Sequence, residues 1–428
     1  MHYRSAIPVL VGCLFATNVL AADLMQTYME ALANDPQYAS ARASLMAGQE
    51  KSTQGLAKLL PNLSASGGYG RNWFEGLNYN ENKYTIALTQ PIFNWANYQN
   101  YETSKLQVSI SEAQFAQAQQ DLMMRVSQAY FDILAAEDVV TFAKAQKAAV
   151  AQQLELAKRS FQVGTTTITD THEAQARYNL AEADEISALN DLEVKRTALE
   201  QIIGHPPGEL DPLKKGVKLS APEPNVMTSW VSSAENQNYQ VVQYRLSREV
   251  AKRNIKATQA GHMPTVDLVA SYNHTNRDQY MIDTNGGIQT FNTQKVVGVQ
   301  WNIPLFSGFE VTSKVKEAVS LEDKARNDLE ASRRSAAQLA RQSYLGVNNG
   351  LSQVRALEAA EIASLSSLEA NKLGYEVGVR INIDVLNAEQ RDLTNARNNT
   401  IINGLRLKQA AGTLNEDDLK RVNLLLKK

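Results

Sequence analysis

Phe161-Gln162-Val163-Gly164 returns 214 positions later as Tyr375-Glu376-Val377-Gly378, and the match runs outward on both sides. Asp170, Ala174 and Arg177 recur as Asp384, Ala388 and Arg391; Ala129-Tyr130-Phe131 recurs as Ser343-Tyr344-Leu345. Self-similarity at one fixed offset is the mark of an internal duplication. Each copy holds a pair of amphipathic strands followed by a very long helix, so the repeated unit reads as a wall element of a tube.

The helical reading rests on what is missing. Residues 92–163 contain neither Pro nor Gly. A helix of about 65 residues there would be about 100 Å long at 1.5 Å per residue. Leu122, Val126, Ala129, Ile133, Ala136, Val140 and Ala143 keep a strict 4-3 spacing, the signature of coiled-coil packing. In the second copy the same register reads Ala336, Ala340, Ser343, Val347, Gly350, Val354 and Leu357. These seams are thin and rich in small residues, which lets helices lie close side by side.

Four segments alternate as half-buried strands do. Leu63, Ala65, Gly67 and Tyr69 share a face of the first; Tyr84, Ile86 and Leu88 share a face of the second. Val266, Leu268, Ala270 and Tyr272 line the third, and Val297, Val299, Trp301 and Ile303 the fourth. Each runs for about ten residues, enough to cross a bilayer at a tilt. Polar loops, Asn72–Asn82 and Asp278–Gln294, are expected to join them in pairs. Trp73 and Phe74 gather at one end, and Phe93, Trp95, Phe306 and Phe309 at the other, as interfacial aromatic girdles do. Pro61, Pro91, Pro264 and Pro304 bracket the pairs, where strand must become helix.

The expected organisation is a leader over residues 1–21, a first repeat over 22–213 and a second over 214–428. In the first, strands cover about 62–92, a long helix about 97–162 and a shorter helix 168–203. In the second, the corresponding ranges are about 265–304, 309–376 and 383–412. Shorter helical stretches, Leu24–Leu59 and Trp230–Ala260, precede the strand pairs. Gly204–Asn225 is the crossover, holding 5 of the 11 prolines.

Arg4, the apolar run Ile7–Val19 and the small-residue end Val19-Leu20-Ala21 read as a secretory signal, with the mature chain starting at Ala22. Leu10-Val11-Gly12-Cys13 leaves lipidation of Cys13, the only cysteine, as the alternative. With a net charge of −2 and no basic stripe, nucleic acid is not an expected partner. No later apolar run reaches the roughly 20 residues of a spanning helix, so any membrane crossing must use strands. The five His are scattered without metal-ligand spacing, and there is neither a phosphate loop nor a nucleophile with its base. No enzyme activity, cofactor or metal is expected.

Four strands cannot close around anything, and an open edge in lipid leaves backbone groups unpaired at several kcal/mol each. Closure therefore needs several chains: two, three or four copies give 8, 12 or 16 strands. Eight leave an interior filled by side chains, so a conducting tube needs at least three copies.

Gly261-His262-Met263-Pro264-Thr265-Val266-Asp267-Leu268, the run Gly374–Arg380 with Asp384-Val385-Leu386-Asn387, and Gly412-Thr413-Leu414-Asn415-Glu416 closely resemble the TolC family of outer-membrane channel-tunnel proteins. The resemblance spans essentially the whole mature chain. It implies a homotrimer: an α+β membrane protein whose twelve-stranded transmembrane β-barrel continues as a long periplasmic α-helical barrel. It implies an outer-membrane exit duct for multidrug efflux pumps or type I protein secretion, working with a periplasmic adaptor (membrane fusion) protein and an inner-membrane transporter. The alternative is a periplasmic coiled-coil adaptor or scaffold without a pore.

The resemblance also assigns residues. Val163, Gly164, Val377 and Gly378 fall at the tips where adaptors dock. Asp170 pairs with Tyr375, and Arg380 bonds Thr169 and Asp170, holding the periplasmic entrance shut. Locally, Asp170 with Glu173 matches a capping box, and Asp384 suits a helix N-terminus. Asp384 matches an acidic constriction ring, but Asn387 stands where the family has a second aspartate. That predicts three carboxylates rather than six in a trimer, and weak block by multivalent cations.

Overall fold

The computed structural model describes residues 22–74, 77–214, 216–282, 288–375 and 383–427. The expected leader and Cys13 lie outside the described residues. The chain is mostly helical with one four-stranded sheet, as the sequence pattern implies.

The long unbroken run becomes helix α3 (Trp95–Gln162), 68 residues, started by Asn94, whose side chain accepts from Asn97 N. Its counterpart is α7 (Glu310–Tyr375), 66 residues. Shorter helices flank them: α1 (Leu24–Asn34) and α2 (Pro36–Ala57) before the first strand pair, and α4 (Ile168–Ile203) after α3. The second copy supplies α5 (Met227–Gln237) and α6 (Tyr239–Gln259) before its strands, and α8 (Ile383–Ala410) after α7. A last short helix, α9 (Glu416–Asn423), follows Gly412.

Two of these differ from expectation in a shared way. Leu24–Leu59 and Trp230–Ala260 read as continuous helices, yet both copies break there. Asp35 caps α2, its carboxylate accepting from Tyr38 N at 2.9 Å, with Pro36 opening the helix. Asn238 caps α6 in the same manner, accepting from Gln240 N and Val241 N. A short polar side chain that satisfies the first free N–H groups competes with helix continuation.

Strands β1 (Asn62–Phe74), β2 (Leu77–Phe93), β3 (Thr265–Ile282) and β4 (Ile288–Asn302) form one antiparallel sheet in the order β1-β2-β3-β4. The register sets Leu63 opposite Leu88, Leu88 opposite Ala270, and Ala270 opposite Val297. All apolar alternating residues therefore share one face, while Ser64, Ser66, Thr85, Asn273, Gln294 and Gln300 share the other. The apolar face is bare: Val297 is 79% exposed, Trp301 68% and Leu63 68%. The ladders run well into the stretches that read as polar loops. Cross-strand polar pairs carry them, with Arg277 on Glu81 at 2.7 Å and Asp278 accepting from Asn80 N at 2.7 Å.

Along its length α3 changes neighbours. Its first half lies between α2 and α6, with Gln243 reaching Gln117 and Arg253 reaching Gln99. Its second half lies between α4 and α8, with Arg196 on Glu137 and Gln409 on Asp121. α7 packs first on α6, through Arg248 and Glu322, then on α8, through Arg397 and Glu358. Two layers follow, α2-α3-α6-α7 near the sheet and α4-α3-α8-α7 beyond it, each four helices wide.

The main apolar core sits midway along α3. Leu122, Val126, Tyr130 and Ile133 meet Leu24 and Tyr28 of α1, Leu199 and Ile203 of α4, and Leu419 of α9. Full burial of each such side chain is worth about 1.5–3 kcal/mol. Tyr130 donates to the carbonyls of Ala22 and Asp211, and both ends of the described chain are held here by bridges, Ala22 to Leu210 and Leu213 to Leu426. A second cluster, Trp230, Ala234, Val241, Ala336, Ala340 and Leu407, does the same for α7.

Candidate functional site

Outside these clusters the helices touch through narrow seams. The 4-3 residues Leu122, Val126, Ile133, Ala136, Val140 and Ala143 are buried, as are Ala336, Ala340, Ser343, Val347 and Val354 in the second copy. Glycine sets the spacing. A Cβ at Gly48 or Gly55 of α2 would collide with Ser111 or Ser104 of α3, and one at Gly350 of α7 with Thr400 of α8. The wall is thus one helix thick, with both broad faces left to water.

Polar contacts line the α3–α8 seam beyond the apolar cluster that Ile402 and Leu405 share with α3. Gln409 donates to Asp121 at 2.8 Å, Arg406 to Gln128 at 3.0 Å, and the Arg391 guanidinium lies over the Phe142 ring at 5.4 Å. Burial raises the Asp121 carboxyl above its ordinary value, against the pull of Arg125 and Gln409. Asp138 is raised too, chiefly by burial, with its contact to Thr394 opposing and Glu137 adding to the rise. By contrast α3 and α4 are tied firmly by Lys147, which sits 3.0 Å from Glu182 and 3.1 Å from Glu185. Nothing local in the sequence signals the α3–α8 contacts, because Gln409 and Asp121 are 288 positions apart and Arg406 and Gln128 are 278 apart.

At the far end, α3 stops in a tight turn. Gly164 takes φ of 79°, its N–H bonds the Phe161 carbonyl, and Thr165 N–H bonds the Ser160 carbonyl. That pair of bonds with a left-handed glycine is the Schellman ending. Beside it Val163 is 75% exposed, with Phe161 and Ile168 also exposed. The capping box that opens α4 is not the expected one. Thr167 is the cap and Asp170 its reciprocal partner: the Asp170 carboxylate accepts from Thr167 N at 2.9 Å, and Thr167 Oγ1 accepts from Asp170 N at 3.3 Å. The Thr-x-x-Asp spacing was present in the sequence. Glu173 instead takes Arg177 at 2.6 Å. These bonds from Thr167 hold the Asp170 carboxyl below its usual range. Thr169 is exposed on the first turn of α4.

In the second copy Tyr375 is the last residue of α7, and Asp384 and Asn387 stand near the start of α8. Their side chains, and the whole of Val377, Gly378 and Arg380, lie outside the described residues. The expected pairing of Thr169 and Asp170 with Tyr375 and Arg380 therefore lies outside them as well. Among the described residues no His, Cys, Asp and Glu group could hold a metal ion, and no helix is long and apolar enough to cross a membrane.

The sequence profile of the outer membrane efflux protein family matches residues 27–205 and 230–416, one stretch in each half. The chain belongs to the outer membrane efflux protein family. Outer membrane protein TolC of Escherichia coli (strain K12) is 33% identical over 99% of this chain and 90% of its own length. Alkaline protease secretion protein AprF of Pseudomonas aeruginosa is 31% identical over 96% of this chain and 88% of its own. Two solved structures share the fold. The outer membrane protein VceC of Vibrio cholerae superposes with a TM-score of 0.74 at 17% identity, covering 91% of this chain and 96% of that one. The CmeC outer membrane channel of Campylobacter jejuni gives 0.74 at 17%, covering 99% and 96%. This outer membrane efflux protein is an outer-membrane exit duct for efflux and type I secretion, and its family transports rather than catalyses. An adaptor without a pore does not fit that membership.

Proposed function

We propose that three copies of this chain close into one conduit, with a twelve-stranded barrel in the outer membrane and a helical tunnel in the periplasm. The observation that carries this is the open sheet β1-β2-β3-β4, apolar on one face and unpaired at both edges. In lipid such edges must be satisfied by other strands. Helix count is compatible with closure: each layer is four helices wide and the sheet four strands wide, so strands and helices continue one another one for one around the ring. The outermost helices of each layer carry exposed apolar residues, among them Met46 on α2, Leu180 and Ile186 on α4, and Leu321 and Ile362 on α7. A neighbouring copy would cover them.

In this reading the repeats 22–213 and 214–428 each give one strand pair and one set of tunnel helices, after removal of residues 1–21. The tips at Val163 and Gly164, with Val377 and Gly378, receive the hairpins of a periplasmic adaptor that links the duct to an inner-membrane transporter. Exposed Phe161 and Ile168 enlarge the apolar surface available there. Thr169, Asp170, Tyr375 and Arg380 form the closure, and Asp384 with Asn387 the constriction behind it.

Extraction from outer membranes, sizing in detergent and recording in planar bilayers test this. A trimer that conducts is expected; a monomer that passes no current through lipid would sink the proposal.

A further inference from the structure

The fold gathers two stretches of chain that carry only positive charge. Residues 212–222 hold three Lys and residues 419–428 four Lys or Arg, with no Asp or Glu in either, in a chain of 43 basic and 45 acidic residues. The antiparallel bridge of Leu213 with Leu426 sets them side by side. Lys214 N donates to the Leu425 carbonyl at 3.0 Å, and Lys427 N to the Pro212 carbonyl at 2.7 Å. Leu213 and Leu426 turn into the core around Tyr130, so strand alternation turns Lys214 and Lys427 outward. Lys218, Lys420 and Arg421 are exposed as well.

Little inside the molecule neutralises them. Asp417 takes Lys420 at 2.8 Å, and Glu416 lies against the Tyr28 hydroxyl. Asp418, its side chain 6% exposed, is already engaged by Lys408 and stands 3.9 Å from Arg421. Lys214 Nζ meets a neutral group, the Leu424 carbonyl, at 2.8 Å. Lys214, Lys218, Arg421 and Lys427 are left for an outside anion. The belt thickens a wall one helix deep, and the conduit reading sets it on the outer side, since the same mass inside would fill the bore. It stands about 50 Å of helix from the start of α3, Trp95 to Tyr130 at 1.5 Å per residue. That is several Debye lengths from any lipid headgroup. Among the described residues of the two stretches Leu424 alone is a large apolar side chain left exposed. Protein interfaces have an apolar centre and are depleted in lysine, so this surface suits a polyanion held by charge.

We propose that this basic rim of the belt binds the carboxylate-bearing peptide stems of the cell-wall glycan through which a periplasmic tunnel must pass. Each exposed ammonium–carboxylate contact is weak and salt-sensitive. Three copies repeat the four cations around the ring, and many weak contacts to one polymer add through effective concentration. The inference rests on the conduit reading, since only a closed tunnel sets the belt facing the wall.

The test pellets the detergent-purified protein with isolated cell-wall sacculi at low and high salt. Wild type is expected to pellet at low salt and to be released at high salt. The triple variant Lys218→Gln, Arg421→Gln, Lys427→Gln should pellet roughly tenfold less, with trimer size and conductance unchanged. Wild type should lose as much on sacculi whose stem carboxylates have been amidated. Equal pelleting of the two proteins overturns the proposal, as does full pelleting on amidated sacculi. So does a wild type that ignores sacculi but retains an acidic periplasmic protein that the variant loses, which would give the rim to a protein. The charge-keeping variant Lys218→Arg, Arg421→Lys, Lys427→Arg should bind as wild type does, and its failure to bind removes charge as the cause. If the triple variant does not assemble, Lys218→Gln alone decides by the same comparison with wild type. A wild type that neither forms a trimer nor conducts would instead overturn the conduit.

Discussion

Asp170 is engaged twice over by Thr167, and this shapes how it could also serve a closure. One carboxylate oxygen takes both the Thr167 N–H and its hydroxyl, at 2.9 and 3.0 Å, which leaves the other oxygen for a partner. Because these bonds depress its pKa, the cap is intact at and above the unfolded carboxyl value. It is lost only as pH falls through the lower folded value, so the cap persists at neutral and mildly acid pH. Thr167→Ala should destabilise the start of α4 by about 1 kcal/mol and leave single-channel conductance unchanged. Asp170→Ala should also raise conductance; equal traces for the two variants would reduce Asp170 to a cap. Behind it, Asn387→Asp should strengthen block by trivalent cations on the order of tenfold, since affinity follows ligand charge count, and titration in planar bilayers measures this. The cap was written locally, three residues apart, and could be read. Its exact members were misread because Asp170 with Glu173 offers the same spacing, and only the fold shows which one meets free N–H groups.

Between elements, the seams differ in what holds them. Gly55 admits Ser104 so closely that Gly55→Ala should cost about 1–3 kcal/mol, as overpacking does, with much of it recovered by adding Ser104→Gly. Thermal unfolding of the four proteins in that cycle checks it. The α3–α8 seam responds to protons instead. Asp121 and Asp138 have raised pKa values, so their contribution is full below the unfolded carboxyl value and is lost as pH rises through the folded one. Mild acid should therefore tighten the seam. Asp138→Asn should raise the melting temperature at neutral pH and flatten its rise on acidification; an unchanged pH profile counts against this origin. The long helices were legible because Pro and Gly are absent and small apolar residues recur at 4-3 spacing. The strand extents were not, because polar residues beyond the apolar band still pair across the ladder through Arg277 with Glu81. The breaks at Asp35 and Asn238 were passed over because apolar periodicity runs straight through both. Asp35 is also the site of a nearly buried ion pair, its side chain 2% exposed and 2.6 Å from Arg125. Burial alone would raise its pKa, but the Arg125 and backbone hydrogen bonds hold it low.

At the scale of the molecule, away from the two apolar clusters, the described wall is a single helix thick. Stability then accumulates along the seams rather than in a central volume. Among the described residues the wall thickens at the belt around Leu122, Tyr130, Leu199 and Leu419, where the chain ends are tied down, and where α5 packs Trp230 and Ala234 against α7. Below that belt each seam repeats itself every seven residues. Removing seven residues at matched heights from α3, α4, α7 and α8 should preserve assembly and conductance while shortening the tunnel by about 10 Å. The same deletion in α3 alone should abolish assembly, as judged by sizing in detergent.

A cask can be cut down without reshaping its staves, provided all are sawn at one height. Reach is therefore free to drift with the width of the space to be bridged, while the bore, set by how many staves stand side by side, stays the same.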